Sequence, residues 1–237
     1  MISGKFKKIE TEEEAKQTSH RLRNAWKDER IPDLQYDWAI KPELESYRNG
    51  KDCWPFSAFV QCLLKIPAEM NCPKTTMLDT GSSSCLYREV LRIAGLQYRY
   101  VGMDFNLAFG KLARDKVTPG VDFVNGDVFN LPFGDGAFDI AVSGGVLAGI
   151  YDWQKCVDEI VRVSRKYVLF HRTSLVKFDK NRYYEKLAYD IPVFEAHYNQ
   201  RTFMDMITRA GLSVIHIVAV EWQGESDQGI LEVLCQK

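Results

Sequence analysis

A chain of 237 residues, 46% of them hydrophobic, is long enough for one αβ domain with an added segment and short of two full domains. Its 31 Lys and Arg against 32 Asp and Glu leave a formal charge of -1, so no overall positive field draws it to phosphate backbones or acidic membranes, and no nucleic-acid partner is expected. Six cysteines (Cys53, Cys62, Cys72, Cys85, Cys156, Cys235) form no CxxC pair and no zinc-spaced cluster, which predicts reduced thiols in a cytoplasmic protein without a metal. The start, MISGKFKKIETEEE, has no apolar stretch behind its lysines, and no run approaches the ~18 apolar residues of a membrane span, so neither a cleaved signal nor a membrane partner is expected.

Thr11 followed by Glu14 fits a capping box and opens a helix to about Arg30, with Ala15, Leu22, Ala25 and Trp26 roughly on one face. From Ile31 to Pro55 come prolines, Asn49-Gly50 and scattered aromatics, after which PFSAFVQCLLKI reads as an amphipathic helix beginning on Pro55. Residues 1–72 therefore read as an N-terminal helical cap and 73–237 as the main domain.

After Pro73 short β-type runs alternate with helical ones: TTMLDT, CLYREVLRIAG, YRYVGMD, NLAFGKLARDK, VDFVNGD, FDIAVSG, DWQKCVDEIVRVS and KYVLFHR. Apolar strands separated by helices predict an α/β, doubly wound parallel sheet covered on both faces. Asn199 is a cap for a helix through RTFMDMITRAG, and LSVIHIVAV and GILEVLCQK follow with only EWQGESDQ between them. That link is too short for a crossover, so the sheet of about seven strands should end in a C-terminal antiparallel hairpin.

The strand-to-helix junction MLDTGSSSC breaks on Gly81, as loops that cradle nucleotides do, but carries serines and a cysteine where further glycines usually stand. Together with YRYVGMD and VNGDVFNLPFGDGAFDIAVSGGVL, the stretch from Met77 to Thr173 resembles the class I S-adenosylmethionine-dependent methyltransferases, the methyltransferase type 11 group in particular. The resemblance implies a Rossmann-like fold and S-adenosylmethionine as cofactor. It also implies a cofactor site drawn from Asp79, Gly81 and Ser83 in the loop, Asp104 and Phe105 after the second strand, Asp127 and Val128 at the adenine, and Ser143 after the fourth strand. Three departures stand out: Ser83 and Cys85 at the second and third loop glycines, and Ala148 where a histidine often sits. Gly81 is the position most in need of positive φ, which costs another residue about 1–2 kcal/mol, while the later positions chiefly need small side chains. Asp104 lies about 20 residues after the loop, the spacing of a ribose-binding acid, with a helix cap near Asn106 as the other reading. For Asp127 the other reading is a turn.

Methyl transfer from a sulfonium is an in-line displacement, so positioning matters most and no metal is obligatory. For a hydroxyl acceptor a base helps, and His171, at the carboxyl end of the fifth strand, is the catalytic candidate, weighed against a structural histidine. His197 reads as a loop histidine near an acceptor pocket, His216 as a strand residue, and His20 as lying on the polar side of the first helix. Trp54 and Phe56 are the pocket guesses, and Tyr151 and Asp152 could face the acceptor, although Asp152 serves equally as a helix cap. SGGV, in place of an Asn-Pro-Pro-Tyr motif, argues against base or amide methylation. The expected function is methyl transfer to a small-molecule acceptor such as a sugar or other hydroxylated metabolite. The rivals are a nicotinamide oxidoreductase, which needs the missing loop glycines, and a non-catalytic scaffold that keeps the fold. Oligomeric state is not readable from the sequence.

Overall fold

The computed structural model describes residues 6–177, 180–221 and 228–237. A short strand β1 (Lys7–Ile9) leads into α1 (Glu12–Leu22), where Thr11 Oγ1 accepts the Glu14 amide at 3.1 Å as the capping pattern requires. The helix ends sooner than expected, tightening into a 3-10 turn over Arg23–Lys27. The stretch that reads as irregular is almost continuously helical: α2 (Ile31–Gln35), a π turn (Tyr36–Ile40), α3 (Lys41–Arg48). Pro32 and Pro42 both fall in first turns, where no amide donor is needed, and the wide turn sits just before Pro42, whose ring would clash with the carbonyl four residues back in an unbroken α-helix. α4 (Trp54–Leu63) follows.

The alternating region then runs β2 (Thr76–Thr80), α5 (Leu86–Ile93), β3 (Arg99–Asp104), α6 (Leu107–Leu112), β4 (Asp122–Asn125), β5 (Phe138–Gly144), α7 (Trp153–Val163) and β6 (Ser164–Val176). β7 (Arg182–Ala188) and β8 (Ile191–Asn199) come before α8 (Gln200–Arg209), β9 (Ser213–Glu221) and β10 (Gln228–Gln236). The core sheet has the order β4-β3-β2-β5-β6-β10-β9, parallel through β6, with β10 antiparallel to both β6 and β9. These are the seven strands and the terminal antiparallel pair that the sequence predicts; most of EWQGESDQ lies outside the described residues. Strand order reverses between β2 and β5, and ligands of open αβ sheets bind outside the carboxyl ends at such a switch point.

Three further strands were not expected. β6 outruns its neighbours and pairs in parallel with the end of β8, which pairs with β7, which pairs with β1. Tyr189 and Asp190 join β7 to β8 with φ of 54° and 60°, the backbone of a type I′ turn. His197 therefore sits on a buried strand, its Nε2 2.8 Å from Glu195, and not in a loop.

Apolar side chains pack on both faces, each fully buried one contributing roughly 1.5–3 kcal/mol. On one face α7 and α8 bury Val157, Ile160, Phe203 and Ile207 together with Ala15 of α1. On the other, Phe56, Phe59, Cys62 and Leu63 of α4 pack with Val90 of α5 against the sheet, so α4 shares the core of the region after Pro73. A third cluster joins Ile31 to Phe109 and Leu112 of α6 and to Tyr189 and Ile191 at the β7–β8 turn. Among the described residues no helix is long and apolar enough to cross a membrane, and no three His, Cys, Asp or Glu side chains converge as metal ligands.

Candidate active site

Thr80 ends β2 with its hydroxyl donating to Val142 O at 2.8 Å, and the chain then turns at Gly81 with φ of 67°. A Cβ here would fall 2.1 Å from Val146 Cγ2, so glycine is required by space as well as by φ. Ser83 (φ 50°) and Cys85 (φ 55°) are left-handed too, which corrects the expectation that those positions chiefly need small side chains. The loop holds them there through Ser82 N to Met103 O at 2.9 Å, Ser83 N to Asp104 Oδ2 at 3.0 Å and Cys85 N to Ser82 O at 2.9 Å. Gly102 of β3 makes room: a Cβ on it would lie 2.3 Å from Cys85 Sγ.

Asp104 closes β3 beneath this loop. Its second oxygen accepts the Asn106 amide at 2.9 Å, and each oxygen keeps a further lone pair. The helix-cap role belongs to Asn106, whose Oδ1 accepts the Ala108 amide at 3.1 Å, so Asp104 is not needed as a cap. Burial pushes the Asp104 carboxyl up to about 6. Asp79 is tied inside the sheet by the Tyr100 hydroxyl at 2.5 Å, and burial pushes it up to about 7. Ser143, at the end of β5, is buried, and its Oγ has no partner among the described residues. At the next two positions a Cβ would come into ordinary contact, on Gly144 with His171 Cδ2 at 3.6 Å and Tyr87 Cε2 at 3.9 Å, and on Gly145 with Arg172 Cβ at 4.0 Å.

After β4, Asp127 is both a turn residue and a charged contact. Oδ1 accepts the Phe129 amide at 3.0 Å and Oδ2 pairs with Arg23, whose guanidinium also lies 4.7 Å over the Phe129 ring. Val128 and Phe105 are half-buried nearby, Phe105 under the Lys27 ammonium at 5.4 Å. Asn106 Nδ2 donates to Trp26 O at 2.9 Å, and Ser83 Oγ donates to Gln35 Oε1 at 2.5 Å. Residues 23–35 thus form a strap across the carboxyl ends of β2 and β3 and the loop after β4.

His171 does not meet the cleft directly. It is fully buried, with Nδ1 on Glu232 and Nε2 on the Tyr87 hydroxyl, under the edge of Phe59. Burial pushes its pKa down against the opposing pull of Glu232, and burial holds the Tyr87 hydroxyl far above the ordinary phenol range. The ring is aimed by a bulge: Leu231 pairs Thr173 while Val233 pairs Phe170, leaving Glu232 opposite His171 and Arg172, and Arg172 adopts φ of 54°. Glu232 Oε2 also accepts the Arg172 amide at 3.0 Å. The aromatic and acidic pocket guesses are redirected: Phe56 is core, Trp54 remains partly exposed, Tyr151 donates to Glu12 at 2.8 Å, and Asp152 sits at the N-cap of α7 without a side-chain cap bond.

Tyr87, Glu232, Arg172, Gln35 and Arg23 were not anticipated. For Glu232, which is fully buried, and for the half-buried Arg172 a signal existed, since a lone charge inside an apolar strand seldom lacks a role. Tyr87 carried none, because an aromatic in a first helical turn is ordinary packing.

Residues 78–170 match the family model of a methyltransferase domain. The demethylmenaquinone methyltransferase of Paenarthrobacter aurescens (strain TC1) is 34% identical over 86 residues, 36% of this chain and 31% of that protein, so the match spans about a third of that relative's length. The Burkholderia thailandensis 1,6-didemethyltoxoflavin-N1-methyltransferase, solved with 1,6-didemethyltoxoflavin and S-adenosylhomocysteine, shares the fold at TM-score 0.55 and 18% identity, covering 87% of this chain and 90% of that one. The [4+2]-cyclase SpnF shares it at TM-score 0.55 and 14% identity, covering 87% and 96%. The resemblance carried by Met77 to Thr173 holds in both the matched segment and the fold.

Proposed function

We propose that this chain, whose residues 78–170 form a methyltransferase domain on the class I S-adenosylmethionine-dependent methyltransferase fold, transfers a methyl group from that cofactor to a small hydroxylated acceptor. The observation that carries the reading is Asp104: a buried carboxylate at the end of β3, held by the amides of Ser83 and Asn106 with lone pairs to spare, directly beneath a left-handed Gly81 turn. One unassigned feature at the same strand ends fits the cofactor, the buried Ser143 hydroxyl, which has no hydrogen-bond partner among the described residues. In this reading Gly81 and Ser83 line the amino-acid end, Asp104 takes the ribose hydroxyls with Phe105 beside them, and Asp127 and Val128 meet the adenine. Asp79 supports the loop from within the sheet through Tyr100.

When bound, the cofactor supplies an electrophilic methyl on a sulfonium. The protein's own work is to orient the acceptor and to take its proton. His171 is neutral, with Nδ1–H donated to Glu232 and Nε2 accepting the Tyr87 O–H. An acceptor hydroxyl that donates to the Tyr87 oxygen passes its proton there as the Tyr87 proton moves to His171 Nε2, and Glu232 stabilises the imidazolium that results. Tyr87 is then the group that meets the acceptor, and His171 and Glu232 are positioning residues.

Because a cyclase is among the proteins with this fold, the test separates binding from turnover. Calorimetric titration with S-adenosylmethionine and with S-adenosylhomocysteine should give micromolar binding, about 8 kcal/mol, that Asp104→Ala weakens at least tenfold. No binding by the intact protein at millimolar ligand overturns the reading. Binding without methyl transfer across an acceptor panel makes the chain a cofactor-binding scaffold.

A further inference from the structure

Arg172 is the feature the reading above leaves unused. Its backbone is pinned by the Glu232 carboxylate and by the bulge of β6, at a left-handed φ that a non-glycine residue adopts only at a cost of about 1–2 kcal/mol. Its side chain starts beside Gly145, where a Cβ built on the glycine would be 4.0 Å from Arg172 Cβ, just past the carboxyl end of β5. The residue is half-buried, and among the described residues its guanidinium forms no ion pair. Glu43 and Glu232 act on it from longer range, and the Tyr87 phenol lies near enough to raise its pKa further. Lys186, a second cation coupled to Arg172, is already paired with Glu195.

A guanidinium carries five N–H donors in a planar fork and keeps its charge at any physiological pH, so a strained backbone that presents it with most donors unused is built to receive something. Glu232 does not fill that need, since its Oε2 is spent on His171 and the Arg172 amide and its Oε1 makes no hydrogen bond. We propose that Arg172 binds an oxyanion of the acceptor, a carboxylate or a phosphate, by a bidentate contact that brings the acceptor's hydroxyl to Tyr87. The inference rests on the methyltransferase reading for the word acceptor, but the anion site itself does not. A two-point hold of this kind fixes orientation as well as affinity, as in-line transfer requires. An uncharged sugar would leave the fork unfilled.

The test titrates the S-adenosylhomocysteine-loaded protein with inorganic phosphate and with benzoate, using benzamide as the uncharged control. Saturable millimolar binding of an anion and none of benzamide is expected, with Arg172→Gln weakening the anion at least tenfold and leaving S-adenosylhomocysteine affinity within twofold. Phosphate binding without benzoate binding marks a phosphorylated acceptor, and the reverse marks a carboxylate. Three outcomes overturn the proposal: no saturable anion binding, equal binding by Arg172→Gln, or a tenfold loss of S-adenosylhomocysteine affinity in that variant, which would assign the fork to the cofactor's own carboxylate. Should the variant not fold, phenylglyoxal labelling of the intact protein decides. Phosphate should shield Arg172 in the peptide map, and no shielding overturns the site. If S-adenosylhomocysteine itself does not bind, the methyltransferase reading fails, while shielding of Arg172 by phosphate alone still upholds an anion site.

Discussion

Asp79 and Asp104 stand on neighbouring strands and are both pushed upward by burial, yet they govern different properties. Asp79 holds its proton to about 7 in the folded chain against 3.8 for its ordinary value. Between those values the folded state binds more protons than the unfolded one, so the contribution of this group to stability is greatest below about pH 4 and is lost as pH rises to 7, by at most about 4 kcal/mol. Asp79→Asn keeps an acceptor for the Tyr100 hydroxyl and cannot ionise. Its melting temperature should exceed that of the parent at pH 8 and match it at pH 4, and equal melting at both values would show that Asp79 carries no such burden. Asp104 is the proposed ribose anchor instead. If ribose hydroxyls donate to its carboxylate, cofactor affinity should fall about tenfold per unit below about pH 6, where the group takes up a proton. Calorimetry at pH 5 and 7.5 reads this directly, and Asp104→Asn should bind weakly with no such slope. The places of both acids at the ends of apolar runs were legible in sequence, but the tie of Asp79 to the Tyr100 hydroxyl was not. The left-handed Ser83 and Cys85 were not, because nothing local to a serine or cysteine favours positive φ; it follows from docking the loop on Gly102 and Asp104.

At the scale of elements, the strands and helices from Thr76 to Val163 were legible because each is a short apolar run or an amphipathic stripe with its own cap. β7 and β8 were not. Their link is Tyr189-Asp190 rather than Asn-Gly, Pro192 stands inside β8, and both strands mix charges with aromatics because they pack on β1 and the helical strap rather than in the sheet centre. The helical run that continues from the strap to Arg48 was hidden by Pro32 and Pro42, which read as breaks but occupy first turns. The strap also bears on the site: Arg23 holds Asp127, the residue proposed for adenine, so in that reading the pair stands beside the path of the entering cofactor. A half-exposed pair of this kind is worth about 0.2–1 kcal/mol, and Arg23→Ala should speed cofactor association by up to about fivefold. Stopped-flow fluorescence of Trp26 follows the strap, and an unchanged association rate would remove Arg23 from the path.

Across the whole molecule, the three core clusters decide how far a bound cofactor is felt. Ile31 ties the strap to α6, which follows Asp104, and to the β7–β8 turn, while Gln35 ties it to Ser83 in the cofactor loop. A ligand that orders the loop and Asp104 therefore also fastens residues that never touch it. At one hundred times its dissociation constant S-adenosylhomocysteine should add about 2.7 kcal/mol and raise the melting temperature by roughly 5–10 °C. Hydrogen exchange then maps where that free energy goes. Slowing is expected at the loop from Gly81 to Cys85, and equally over residues 23–40 and the Tyr189 turn, because their opening must now break the same contacts. Slowing restricted to the loop and the ends of β3 and β5 would mean that the strap opens independently of the cofactor, and the Ser83–Gln35 bond would then be a contact of the closed fold with no part in binding.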